Sequence, residues 1–103
     1  MGGNAALKFD HVAIKSTDIF RDVDWYCKNF ECEIESIDRT WASLKTKCGT
    51  RIALVTPSQH PNHIAFLQES EPPDDVKTHR DGTLSKYLKD PSGNVVELLW
   101  RSA

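Results

Sequence analysis

The sequence predicts an α+β fold built from two related halves, and three observations carry that expectation. First, Asp10-His11-Val12-Ala13-Ile14 returns as Asn62-His63-Ile64-Ala65-Phe66. A second echo follows in the same order: Leu44-Lys45, Gly49 and Ile52-Ala53-Leu54 against Leu88-Lys89, Gly93 and Val96-Glu97-Leu98. Two ordered echoes with consistent spacing indicate duplication. Second, apolar residues run or alternate at strand spacing over most of the chain. They switch to helical spacing only at Ile19, Val23, Tyr26, Cys27 and Phe30. Third, Asp90-Pro91-Ser92-Gly93 carries the residues of a type I turn between two strands.

The first half reads β-α-β-β-β. Phe9 to Lys15 is a short apolar strand. Asp18 suits a helix N-cap, and Asp22 and Asp24 suit the positive end of the helix dipole. Trp25 reads as core or interface, and Cys27 as a structural thiol on the buried face. Glu33 to Asp38, Trp41 to Thr46 and Arg51 to Thr56 follow as strands, with Gly49 in the last turn. The second half opens with a strand at His63 to Gln68. Pro72 and Pro73 then break any strand, leaving room for one or two helical turns at Asp74 to His79. The two echoes are offset by 52 and 44 residues, so the second half is eight residues shorter and the loss falls here. Thr83 to Lys89 and Asn94 to Trp100 form a hairpin. The expected organisation is a single domain over 1–103, with module one at about 7–57 and module two at about 62–101.

Composition excludes several classes. The 103 residues are 39% apolar and 27% charged, enough for a core without disulfide staples. A net charge of −2 gives nucleic acid no basic surface. No apolar run approaches the roughly 18 residues of a membrane helix, and no leader pattern opens the sequence. Cys27, Cys32 and Cys48 form no CxxC pair and read as reduced thiols. These features predict a cytoplasmic protein with no membrane or nucleic-acid partner.

Strand parity points to a site. Glu97 interrupts the apolar run Val95 to Trp100. A carboxylate buried there without a partner would cost several kcal/mol, so it must be paired or metal-bound. His11 and His63 hold the same place in the two halves. Two histidines and one carboxylate on a shared face form a facial set for Fe(II), Mn(II) or Zn(II) with positions left open.

These motifs resemble the vicinal oxygen chelate superfamily, which includes glyoxalase I, fosfomycin-resistance thiol transferases, extradiol dioxygenases, methylmalonyl-CoA epimerase and bleomycin-resistance proteins. The resemblance runs from Phe9 to Arg101, and its most specific element is Asp90-Pro91-Ser92-Gly93-Asn94-Val95-Val96-Glu97. It implies paired βαβββ modules, the second with an abbreviated helix, forming a curled mixed sheet around a metal pocket. It also implies His11, His63 and Glu97 as ligands of a divalent Fe, Mn, Zn or Ni ion. Tyr87 and Glu97 are the implied catalytic residues. Tyr87 reads either as a hydrogen-bond donor or acid, or as a packed aromatic. Trp41 and Ser85 share the inward face, and Arg80 can hold an anionic substrate group or stand solvated in its loop. His60 reads as a linker residue, and His79 stands outside the ligand set.

Three positions depart from the family's pattern. Ala53 stands where glyoxalase I and similar isomerases carry Glu or Gln, which removes a fourth ligand. Ala13 stands where the thiol transferases carry a hydroxyl. Glu31 replaces the glycine that usually ends the first helix. The implied function is metal-dependent lyase, isomerase, transferase or dioxygenase chemistry on a small substrate chelated through vicinal oxygens. The alternative is a non-catalytic, antibiotic-sequestering protein of the bleomycin-resistance type. The implied partners are a small-molecule substrate and a second copy, in a homodimer with pockets shared between chains.

Overall fold

The computed structural model describes residues 7–58, 60–69, 71–79 and 82–101. Among them are one helix and eight strands: β1 (Leu7–Lys15), α1 (Ile19–Phe30), β2 (Glu33–Ile37), β3 (Trp41–Lys45), β4 (Arg51–Val55), β5 (His63–Gln68), β6 (Lys77–Thr78), β7 (Leu84–Lys89) and β8 (Val95–Trp100). The class is α+β, as the sequence predicts. The chain divides into two compact units. One is His11–Asn62, and the other joins residues through Asp10 to those from His63 onward.

In the unit from His11 to Asn62 the strand order is β2-β3-β4-β1, with β1 parallel to β4 and the other pairs antiparallel. The helix starts where the sequence indicates. Asp18 is extended, and its side chain accepts from the Arg21 N–H at 3.2 Å. The buried Ser16 hydroxyl donates to Asp22 Oδ2 at 2.6 Å, which with Arg21 holds that carboxyl below its usual range. Glu31 ends the helix in the left-handed region at φ 54°, and its N–H donates to Cys27 O. Ile19 and Val23 pack on Ala42, Leu44 and Leu54. Trp25 and Phe30 do not join them. Both are about half exposed, and their rings meet edge to face at 5.6 Å. The opposite, helix-free face carries Ala13, Ala53 and Val55, with Trp41 packed against them.

In the other unit the order is β5-β8-β7-β6, with the first residues of β1 beside β5. Lys8 pairs with Glu69 at 3.3 Å, Phe9 meets Phe66 edge to face, and Arg101 donates to Asp10 at 2.9 Å. β5 runs parallel to β8, and β7 is antiparallel to both β8 and β6. No helix is present over the described residues 74–79. A turn at Asp74-Asp75 leads instead into β6, whose Lys77 and Thr78 pair with Ser85 and Leu84. The two prolines withhold backbone donors, and the few residues that follow satisfy theirs on β7 rather than in a helical turn. The hairpin at 90–93 forms as expected. Asp90 Oδ1 accepts from the N–H groups of Ser92 and Asn94, and Gly93 adopts φ 89°.

The duplication is visible in the ladders. Ala13 pairs with Ala53 across β1 and β4, and Ala65 pairs with Glu97 across β5 and β8. Ser43 lies opposite Ala53, as Tyr87 lies opposite Glu97.

Candidate metal centre

His63 opens β5 two residues before Ala65, the ladder partner of Glu97, so pleating places His63 and Glu97 on one face. Both are buried, at 7% and 4% exposure, and His63 Nε2 lies 3.1 Å from Glu97 Oε1. Tyr87 stands opposite Glu97 on β7, with its ring edge-on to the His63 imidazole at 5.8 Å. Burial, followed by the charge of Glu97, pushes the Tyr87 phenol up to about 12, so it keeps its proton and acts as a donor at neutral pH. Ser85, fully buried, precedes Tyr87 by two residues on the same face.

His79 also reaches this cluster, and sequence reasoning places it outside. Its Nε2 lies 2.5 Å from Ser85 Oγ and 3.7 Å from Glu97 Oε2. The backbone fixes it there: His79 N–H donates to Thr83 O at 2.8 Å, and Gly82, at φ 86°, closes the turn onto His79 O. The one available signal was that His79 precedes, across a glycine turn, the strand that carries Ser85 and Tyr87.

His11 and Trp41 belong to the unit His11–Asn62. His11 is half-buried and pairs with Arg51. By pleating it shares the helix-free face with Ala13, and Trp41 packs on that face. Arg80 lies outside the described residues.

The donor set suits a divalent ion. Two ligand atoms bound cis on one ion, with bonds of roughly 2.0–2.2 Å, stand about 3 Å apart. The His63–Glu97 separation of 3.1 Å matches that spacing. One nitrogen and one carboxylate oxygen suit Zn, Mn or Fe rather than a soft thiophilic ion. The remaining contacts satisfy a carboxylate that would otherwise be costly to bury.

No protein-family model matches the chain, and no curated protein does. Solved structures do match. Methylmalonyl-CoA epimerase from Mycobacterium tuberculosis is 14% identical, with TM-score 0.74 over 100% of this chain and 94% of that one. A single-substitution variant of the Streptomyces coelicolor epimerase in complex with 2-nitronate-propionyl-CoA is 19% identical, with TM-score 0.70 over 93% of this chain and 98% of that one. An epimerase in complex with methylmalonyl-CoA and NH4+ is 17% identical, with TM-score 0.71 over 96% and 97%. The chain thus has the fold of the vicinal oxygen chelate superfamily. Among the proteins that carry this likeness are methylmalonyl-CoA epimerases. Among the described residues no helix is long and apolar enough to cross a membrane.

Proposed function

We propose that this chain is a metal-dependent enzyme that isomerises a small substrate chelated through two vicinal oxygens, with His11, His63 and Glu97 as the ligands of a divalent Fe, Mn, Zn or Ni ion. The observation that carries this reading is Glu97, a buried carboxylate 3.1 Å from the His63 imidazole nitrogen. His11 is included because it holds in β1 the place His63 holds in β5. When bound, the ion supplies Lewis acidity toward the two substrate oxygens.

The remaining steps fall to the chain's own groups. The Tyr87 phenol stays protonated and donates a hydrogen bond to a substrate oxygen as negative charge develops there. Glu97 takes the proton from the carbon beside the carbonyl and passes it to solvent, and a water delivers a proton to the opposite face of that carbon, so its configuration inverts. Ala53 supplies no opposing carboxylate, which leaves the second transfer to water. Trp41 offers an apolar wall on the face of His11. The likeness to epimerases of methylmalonyl-CoA makes a 2-substituted malonyl thioester the first substrate to try.

The test is proton exchange. Protein loaded with Co2+ or Mn2+ is incubated with methylmalonyl-CoA in D2O, and the 2-proton signal is followed by NMR. Loss of that signal with wild type but not with Glu97→Gln is expected. Exchange no faster than with free metal ion contradicts the isomerase reading.

A further inference from the structure

We infer that His79, seated by Ser85, is a positioning residue that orients the Glu97 carboxylate, steering Oε1 toward His63 and holding Oε2 away from it. This deepens the metal-site reading above and rests on it only for its metal-binding consequence. Glu97 Oε1 faces His63 Nε2 at 3.1 Å, while Oε2 faces His79 Nε2 at 3.7 Å. At that distance the ring nitrogen is outside direct hydrogen-bond range of Oε2. Its position is set instead by the 2.5 Å bond to Ser85, whose side chain is fully buried on β7. The two imidazoles therefore address different oxygens of one buried carboxylate.

The backbone holds this arrangement. β6 is only two residues long, yet its pairing with β7 and the bonds of His79 N–H to Thr83 O and of Gly82 N–H to His79 O tie the His79 backbone in place. Carboxylates that bind metals are commonly held by such outer partners, whose loss weakens binding about 10- to 100-fold. Here the consequence is specific. With Oε2 turned toward His79, Glu97 would offer a metal ion one oxygen rather than two.

The experiment has a metal-free arm and a Co2+ arm. In metal-free protein, urea midpoints are measured for His79→Ala, Glu97→Gln and the double variant. The inference expects the double variant to lose less than the two single losses combined, since the partners act together. In the second arm, Co2+ alone is titrated. His79→Ala is expected to bind about 10- to 100-fold more weakly and to shift the visible Co2+ spectrum as Glu97 becomes bidentate. His79→Gln, which keeps a donor, is expected to restore both, and Ser85→Ala to move in the direction of His79→Ala. A merely structural role would not shift the spectrum or be rescued by the amide. Additive urea midpoints together with wild-type Co2+ binding and spectrum in His79→Ala overturn the inference, even where His63→Ala and Glu97→Gln lose the ion. If wild type takes up no Co2+, the proposed function fails instead, and the metal-free cycle still decides the pairing of His79 with Glu97.

Discussion

Ala53 stands in β4 where Glu97 stands in β8: each is the parallel-ladder neighbour of an alanine two residues past a strand histidine. One half of the duplication carries a carboxylate at this place and the other carries a methyl group. Ala53 is buried with Ala13 and Val55, with the partly buried Trp41 packed against them, on the face that His11 shares. Ala53→Glu puts a charge into that apolar cluster and should cost metal-free protein about 2–4 kcal/mol. With His11 as a ligand, the new carboxylate can join it on an added ion. Denaturation with and without Zn2+ should then show greater stabilisation by the ion than in wild type. An equal response would separate Ala53 from the metal.

Removing the two partners of the buried pair should have unequal effects. His63→Ala leaves the Glu97 carboxylate short of a buried partner, and breaking a buried pair in this way costs about 3–5 kcal/mol. Glu97→Ala removes the buried carboxylate and its charge altogether, so it should cost less. Urea denaturation of metal-free protein checks the order, and a larger loss in Glu97→Ala would show that the carboxylate is not the costly group.

Most of the strands were legible because their signal is local. Apolar alternation, the turn at 90–93 and the N-cap at Asp18 each act within a few residues, and the structure has them where the sequence places them. The correspondence of the two halves was legible because duplication writes one ladder register twice. β6 was not legible. It is two polar residues held by backbone bonds to β7, and it leaves no apolar pattern. His79 was lost with it, since its contact with Ser85 exists only once that short pairing forms. Phe30 shows a different limit: periodicity gives the face of a helix, not where the packed surface beneath it ends. The proposed metal ligands were legible as residue types in repeated places. The way Glu97 is shared between His63 and His79 depends on which oxygen faces which ring, and residue spacing does not encode that.

Glu31 is the only described non-glycine residue with positive φ. Its left-handed conformation is strained for a residue with a Cβ, and its ion pair with Lys47 at 3.0 Å is exposed and adds little. Glu31→Gly should therefore stabilise the protein by about 0.5–1 kcal/mol, raising Tm by a few degrees. Calorimetry checks the sign, and a lower Tm would mean that the Lys47 contact outweighs the backbone strain.

Cys48 sits exposed in the β3–β4 turn, 3.2 Å from Thr46 Oγ1 and 3.4 Å from Thr50 Oγ1. Hydrogen bonds from these hydroxyls favour the thiolate and bring the thiol down to about 7. The thiolate is the reacting form, so alkylation should speed up as pH rises and be half-maximal near pH 7. Cys32, whose thiol burial pushes up, should react slowly throughout. Iodoacetamide labelling read by peptide mass spectrometry checks this. Thr46→Val should move the Cys48 midpoint upward, and an unmoved midpoint would remove the hydroxyls as its cause.

The most direct test of the central claim is the metal content of protein expressed without an affinity tag and purified without chelator. Wild type should carry roughly one Fe, Mn, Zn or Ni ion per chain, and His11→Ala, His63→Ala and Glu97→Ala should each carry almost none, since each removes a ligand bond. A wild-type chain that is metal-free and cannot be reloaded with any of these ions, or three variants that hold metal as wild type does, would contradict the account.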